Sequence, residues 1–208
     1  MIDSILQDAL HVHRTSVLSG SPNPSTPDYT SLLSLPSSSP SPLSAAINRA
    51  IQLAGFKTIA VQAAVLYTTH ALLRWQTNPL PDTYAHVPVW LSPGARQLEV
   101  PHALWAAQLV WPRLRDRVVG EPQRYARDEL AFCYARCLRI EWKGEAAEPG
   151  MGMGPGFDDG IFEIKQGGEI GLTQRFEATV RELGAWGLER EFTTRWPELG
   201  DVVRTEKE

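Results

Sequence analysis

The stretch from Ala45 to Gln76 constrains the fold most strongly, because small and apolar residues run through it almost without interruption. A helix that is apolar on every side is normally buried at the centre of a domain. Gly55 is the weak point of this run, and we expect it to divide two helices. The most apolar part, Ile59 to Leu73, is interrupted by glutamine, threonine and histidine, so it is too short and too polar for a membrane span. The run therefore predicts a helical core and no membrane segment.

Composition and charge restrict the class of protein further. With 208 residues, 43% of them apolar and 21% charged, the chain resembles an ordinary globular domain. Its formal net charge of −4 argues against general binding to nucleic acid or an acidic membrane surface, since both need positive charge. The two cysteines, Cys133 and Cys137, would share one helical face, which predicts packed thiols in a reducing compartment and no disulfide framework.

The chain divides into three segments. Residues 1–14 carry apolar residues at helical spacing and predict a short amphipathic helix. Residues 15–44 are rich in serine and proline and predict a disordered, flexible linker. Residues 45–203 predict a single helical domain in which 138–142 alternate like a short strand and 161–164 could pair with them. The predicted fold class is therefore mainly α, with a short β-hairpin-like element.

Prolines and glycines mark the borders within the helical domain. Four prolines between Asn78 and Arg96 predict an ordered loop there, and helices are expected to begin near Pro101, Pro112 and Pro122. The glycine-rich residues 144–160 have no periodicity and predict a mobile loop. Two final helices are expected over 172–183 and 188–196.

One part of the chain carries tryptophan, proline and arginine residues in a recognisable order. The pattern comprises Val87-Pro88-Val89-Trp90-Leu91-Ser92-Pro93, Gln97-Leu98, Pro101-His102, Trp105 and Trp111-Pro112-Arg113-Leu114-Arg115-Asp116-Arg117. It resembles the signature of an uncharacterised fungal domain found C-terminal to the basic-leucine-zipper (bZIP) region of fungal transcription-factor-like proteins. With Leu72–Gln76 upstream and Phe176–Leu199 downstream, the resemblance covers most of residues 45–203.

The chain also departs from that family pattern. His102-Ala103 stands where His-Pro is usual, Trp105-Ala106-Ala107 replaces Trp-Ile-Asp, and Val110 takes the place of a proline. The missing acid removes one partner for His102 or for the arginines. No basic region or leucine heptad precedes the domain, although bZIP reading of the major groove needs both. The resemblance therefore does not imply direct DNA binding.

The same part of the chain supplies a candidate ligand or partner site. Its seven residues are His102, Trp105, Trp111, Arg113, Arg115, Asp116 and Arg117. A histidine among tryptophans could form a polar spot in an aromatic pocket, and guanidinium groups suit phosphate or carboxylate. The structural alternatives are a histidine packed at a helix start and arginines paired with the acids among them.

Other patterns do not carry recognisable chemistry. The cysteine pair lacks the second pair that a zinc site needs, and His11 and His13 do not share a helical face. The run Gly150 to Gly156 is not a phosphate-binding loop, and Asp158-Asp159 is typical of a solvated turn. We accordingly predict no catalytic residue, metal or cofactor, and a binding module is favoured over an enzyme.

These observations predict a transcription-regulation-related interaction or effector module without its own DNA-binding region, located in the nucleus or cytoplasm. The resemblance implies a protein partner such as a bZIP transcription factor, or a small-molecule effector, and a setting in fungal specialised metabolism. The alternative is a small-molecule-binding protein or enzyme with a pocket around His102, Trp105, Trp111 and Arg113.

Overall fold

The computed structural model describes residues 1–20, 25–36, 41–125, 128–144, 154 and 156–205. The α-helices are α1 (Ile2–Leu18), α2 (Pro42–Ala54), α3 (Ile59–Thr77), α4 (Pro81–Tyr84), α5 (Ala95–Glu99), α6 (Pro112–Gly120), α7 (Pro122–Tyr125), α8 (Asp128–Cys137), α9 (Gln174–Arg181) and α10 (Arg190–Arg195). The strands are β1 (Leu138–Ile140), β2 (Phe162–Ile164), β3 (Ile170–Leu172) and β4 (Trp186–Leu188). Short 3-10 segments occupy Val89–Leu91, Ala106–Gln108, Leu183–Ala185 and Pro197–Val202. The predicted mainly helical fold is confirmed.

Helices α2 and α3 form where the long apolar run predicts them. The Ser41 hydroxyl accepts a hydrogen bond from the Ser44 amide at 3.3 Å and caps α2, which ends at Gly55 in the left-handed region with φ of 77°. Thr58 caps α3 in the same way. The middle of α3 is buried around its whole circumference, so α3 is the central helix of the fold.

The N-terminal helix is longer than predicted and packs against both α2 and α3. Its buried residues, Ile2, Leu6, Ala9 and His13, are spaced by three or four and form one stripe. α1 is thus part of the packed structure, and the serine/proline-rich segment connects it to the rest of the fold.

That segment differs from the predicted disordered linker over residues 25–36. Tyr29 is only 1% exposed and its ring packs against Phe162 at 5.4 Å, while Leu32 is also buried. The Asp28 carboxylate accepts the Thr30 amide at 3.0 Å and closes the local turn. One tyrosine and one leucine supply enough apolar surface to dock a stretch whose average composition is polar. Residues 21–24 and 37–40 lie outside the described residues.

Two small antiparallel sheets replace the predicted hairpin pairing. β1 pairs with β4, with Leu138 opposite Leu188, whereas β2 pairs with β3. The prediction that 161–164 pairs with 138–142 was wrong. β2 and β3 are joined through Gly167 and Gly168, both with positive φ, so a local turn satisfies β2 within its own hairpin.

The remaining expectations from the sequence have different outcomes. The helix predicted near Pro101 is limited to the 3-10 segment Ala106–Gln108, whereas α9 and α10 form inside the two final predicted ranges. The expected mobile loop falls mainly on residues 145–153 and 155, which are outside the described residues. No helix in the described part of the chain has both the length and the apolarity needed to cross a bilayer.

Candidate functional site

The seven residues of the predicted site have different surroundings. The His102 ring nitrogen Nδ1 lies 2.8 Å from the Val100 carbonyl, Arg113 is exposed, and the buried Trp111 ring meets the Tyr134 ring edge-on at 6.4 Å. Trp105 lines the cavity described below. The side chains of His102, Trp105, Trp111 and Arg113 divide between core and surface, and a pocket around the four stays a prediction.

Arg115, one of the predicted site residues, has a structural role in the core. Its guanidinium is 1% exposed and donates to the side chain of Gln97 and to the main-chain carbonyls of Trp90, Ser92, Leu109 and Val110. Because all its acceptors among the described residues are neutral, burial lowers the pKa of Arg115 to about 10. The side chain remains charged at neutral pH and holds together the loop before α5 and the segment before α6. Its donors are not available to a ligand.

Asp116 and Arg117 have structural surroundings too. Asp116 lies beside Gly94, where a Cβ atom would come within 3.1 Å of its carboxylate. Arg117 donates to the Glu198 carbonyl at 2.6 Å and to the Asp201 carboxylate at 3.1 Å. It therefore joins α6 to the C-terminal 3-10 segment.

The structure contains a cavity of about 70 Å³ beneath α1, which sequence reasoning did not find. Its walls come from α1, α2, α3, α8 and the 3-10 segment Ala106–Gln108, with Ile2 and Leu6 contributed by α1. Most of the surface is aliphatic or aromatic, including Trp105 and Trp186. Within the described part of the chain, the lining carries no charged side chain, so the cavity suits a neutral, largely apolar molecule.

Gln108 is the unusual residue of this lining. Its carboxamide oxygen and nitrogen are both buried and find no hydrogen-bond partner among the described residues. By contrast, the Tyr134 hydroxyl accepts the Val110 amide at 3.0 Å, and the Thr68 hydroxyl donates to the Ala64 carbonyl at 3.0 Å. Leaving a buried polar group unsatisfied costs about 1–3 kcal/mol. Gln108 thus lines the cavity with a carboxamide whose oxygen and nitrogen are both unsatisfied among the described residues.

Local backbone structure places Gln108 at the wall. The Gln108 amide donates to the Trp105 carbonyl at 3.1 Å and closes the 3-10 segment. A sequence signal for it does exist, since Gln108 is the polar residue in the otherwise apolar run Ala103 to Trp111. A buried polar residue in such a run can be a site or a satisfied core residue, and only the tertiary contacts distinguish the two.

A second cluster, Cys137, Glu189 and Glu191, brings three potential metal ligands within 4.8 Å of one another. Lys57 already contacts the Glu189 carboxylate at 2.8 Å, and Arg139 pairs with its other oxygen. Burial raises the pKa of the Cys137 thiol to about 11. A metal ion would therefore have to displace two cations and deprotonate a buried thiol, so we assign this cluster a structural role.

Comparison with known proteins gives one match. A family model described as a domain of unknown function (DUF3425) matches residues 70–208. No curated protein and no solved structure matches the chain. The matched range contains Gln108 and α8, whereas α1 and α2 precede it, so the cavity is built from both parts of the chain.

Proposed function

This chain belongs to the DUF3425 family of domains of unknown function, and we propose that it is a regulatory effector module that binds a small neutral molecule in the cavity beneath α1. In this proposal, ligand occupancy controls association with a partner protein in the nucleus or cytoplasm. The resemblance to the fungal bZIP-associated domain suggests a transcription factor as that partner and specialised metabolism as the setting.

The observation that carries the proposal is the Gln108 carboxamide, whose two polar atoms are buried without a partner at the wall of an apolar cavity. A ligand with an adjacent donor and acceptor, such as an amide or a lactam, would satisfy both atoms at once. Water is the competing occupant, since a cavity of this size holds on the order of five molecules.

Cavity size limits what the ligand buries. An apolar cavity of roughly 150 Å³ accepts benzene, whereas this one measures about 70 Å³ and is not fully enclosed. We therefore expect a polar head of a few heavy atoms against Gln108, with the rest of the ligand at the mouth. Among the described lining residues there is no nucleophile paired with a base, which favours binding over catalysis.

The test uses 2-pyrrolidone, a small lactam, and cyclopentanone, a ring of the same size that lacks the N–H donor. Saturation-transfer NMR and a thermal shift titration would measure binding to the full chain. Gln108→Leu should weaken pyrrolidone binding roughly tenfold, the value of about 1.4 kcal/mol for the lost hydrogen bonds. Gln52→Leu, on the exposed face of α2, is the matched control and should bind as the unaltered chain does.

Equal binding by the Gln108→Leu and Gln52→Leu variants, or stronger binding of cyclopentanone than of pyrrolidone, would contradict the ligand assignment. The regulatory part needs a separate readout. The two variants would be used to capture proteins from nuclear extract of the source, and the amount of a recovered transcription factor would be quantified. Pyrrolidone should change that amount for the Gln52→Leu control. It should not change it for Gln108→Leu. Capture that is identical for both variants with and without pyrrolidone would exclude control by this cavity.

A further inference from the structure

Helix α1 covers two features at once. At its start, Ile2 and Leu6 form part of the cavity wall. At the far end of the same buried stripe, His13 is 7% exposed and acts on His70 of α3, which is 1% exposed. α1 therefore covers both the cavity and a buried pair of histidines.

In the described part of the chain, no acidic group acts on either histidine of this pair. The Nε2 atoms of both histidines are buried and have no hydrogen-bond partner in the described ranges. His13 faces Arg74 and His70, and His70 faces His13, Arg74 and His86, so the charged or titratable groups acting on the pair are basic. The Asp82 carboxylate acts on Arg74. A proton on either ring would place an unpaired charge between α1 and α3.

α1 is attached mainly through α2, with which it makes the most extensive element–element packing of the described residues, and less through α3. Its fully buried apolar side chains are Ile2, Leu6 and Ala9, and its N-terminal ammonium contacts the Asp128 carboxylate at 3.7 Å on the surface. Residues 19–41 lie between α1 and α2 in the sequence, so release of α1 does not require α2 or α3 to unwind.

We propose that α1 is a releasable cover of the cavity, and that protonation of His13 and His70 in mildly acidic solution releases it. The inference rests on the proposed function for its effect on ligand binding, whereas the release itself is a property of the ligand-free chain. Acid would open the cavity and discharge the bound molecule, because Ile2 and Leu6 leave its wall.

The two histidines also titrate in the direction that release requires. Burial, followed by His13 and Arg74, lowers the pKa of His70 to about 3, and burial with Arg74 lowers the pKa of His13. In the released state His13 meets water and the side of His70 that faced α1 is uncovered, so both pKa values rise toward the ordinary value near 6.5. Protons therefore bind the released state more tightly, and His70 alone raises the opening equilibrium of α1 by at most about 25-fold between pH 7 and pH 5.

Hydrogen–deuterium exchange on the full, ligand-free chain tests the release. Protection of residues 2–18, corrected for the intrinsic pH dependence of exchange, should fall severalfold from pH 7 to pH 5, with about 25-fold as the limit from His70, while α8 keeps its protection. His13→Leu should reduce this dependence, and His13→Leu combined with His70→Leu should abolish it. His11→Leu, on the exposed face of the same helix, should retain it.

Protection of α1 that does not change with pH, or that falls in parallel with the protection of α8, would overturn the inference. If the His70→Leu variant fails to fold, the comparison of His13→Leu with His11→Leu still decides the question. If pyrrolidone binds in a Gln108-dependent way but acid does not release α1, only this inference is rejected. If acid releases α1 but pyrrolidone does not bind, only the proposed function is rejected.

Discussion

The Arg115 guanidinium donates to the main-chain carbonyl of Trp90 at 2.6 Å inside the core, across 25 residues of sequence. Trp90 in turn donates its indole N–H to the Arg181 carbonyl at 3.1 Å and packs edge-on against Trp186 at 5.7 Å. A buried cation thus positions the loop that carries the family-like tryptophan and proline pattern. Arg115 therefore stabilises the conformation of this loop.

Replacing Arg115 by lysine should destabilise the fold by about 3 kcal/mol. An ammonium group has three donors on a flexible stem and cannot reproduce the planar fork, so it leaves buried carbonyl groups unsatisfied. Urea unfolding followed by circular dichroism measures the change. Arg113→Lys, at the exposed position two residues earlier, should change stability by less than about 0.5 kcal/mol. Similar losses for both variants would mean that the buried fork is not what stabilises the loop.

Stability should fall as the solution becomes acidic. The folded protein holds the pKa of His70 at about 3, below the ordinary 6.5, so this contribution is fully present above pH 6.5 and is lost as the pH falls toward 3. Between pH 6.5 and pH 5 the expected loss is up to about 2 kcal/mol. Urea unfolding at each pH measures it, and His70→Leu should flatten the curve. A His70→Leu curve as steep as the original would assign the loss to other groups.

Gly55→Ala should cost about 1–2 kcal/mol. The residue ends α2 at a φ of 77°, and a side chain at that angle is strained. The strain is a backbone effect, since the nearest atom to an added Cβ is Arg136 Cγ at 3.9 Å. Thermal unfolding measures it, with Gly184→Ala as the control because that site is open and has no positive φ. If Gly184→Ala is the more harmful change, the conformational explanation fails.

The chain by itself should not bind duplex DNA at physiological salt. Several arginines are neutralised by acids, as in the Arg124–Glu198 pair at 2.7 Å and the Arg204–Glu141 pair at 2.6 Å. Fluorescence anisotropy with labelled duplex should show no binding up to about 10 µM protein at 150 mM salt, since that affinity already belongs to non-specific binders. Salt-resistant binding would show that the chain carries a DNA-reading surface of its own and would contradict this prediction.

Local patterns determined much of the secondary structure. Apolar runs, a glycine at a helix end and capping residues each act within a few residues, so the division of α2 from α3 at Gly55 and the central burial of α3 are readable from the sequence. The shared helical face of Cys133 and Cys137 is equally local, and both thiols are buried. These features depend on helical periodicity and backbone sterics alone.

Only the tertiary structure decided which elements pair with each other and which buried polar groups find hydrogen-bond partners. β1 could have paired with β2 by sequence, yet it pairs with β4, because the Gly167–Gly168 turn gives β2 a nearer partner. Arg115 and Gln108 are both polar residues in apolar surroundings, but carbonyl groups distant in sequence satisfy the arginine, whereas no group of the described residues bonds the glutamine carboxamide. Hydrogen-bond satisfaction depends on residues far apart in the chain, which is why the candidate site emerged from the fold and not from the sequence pattern.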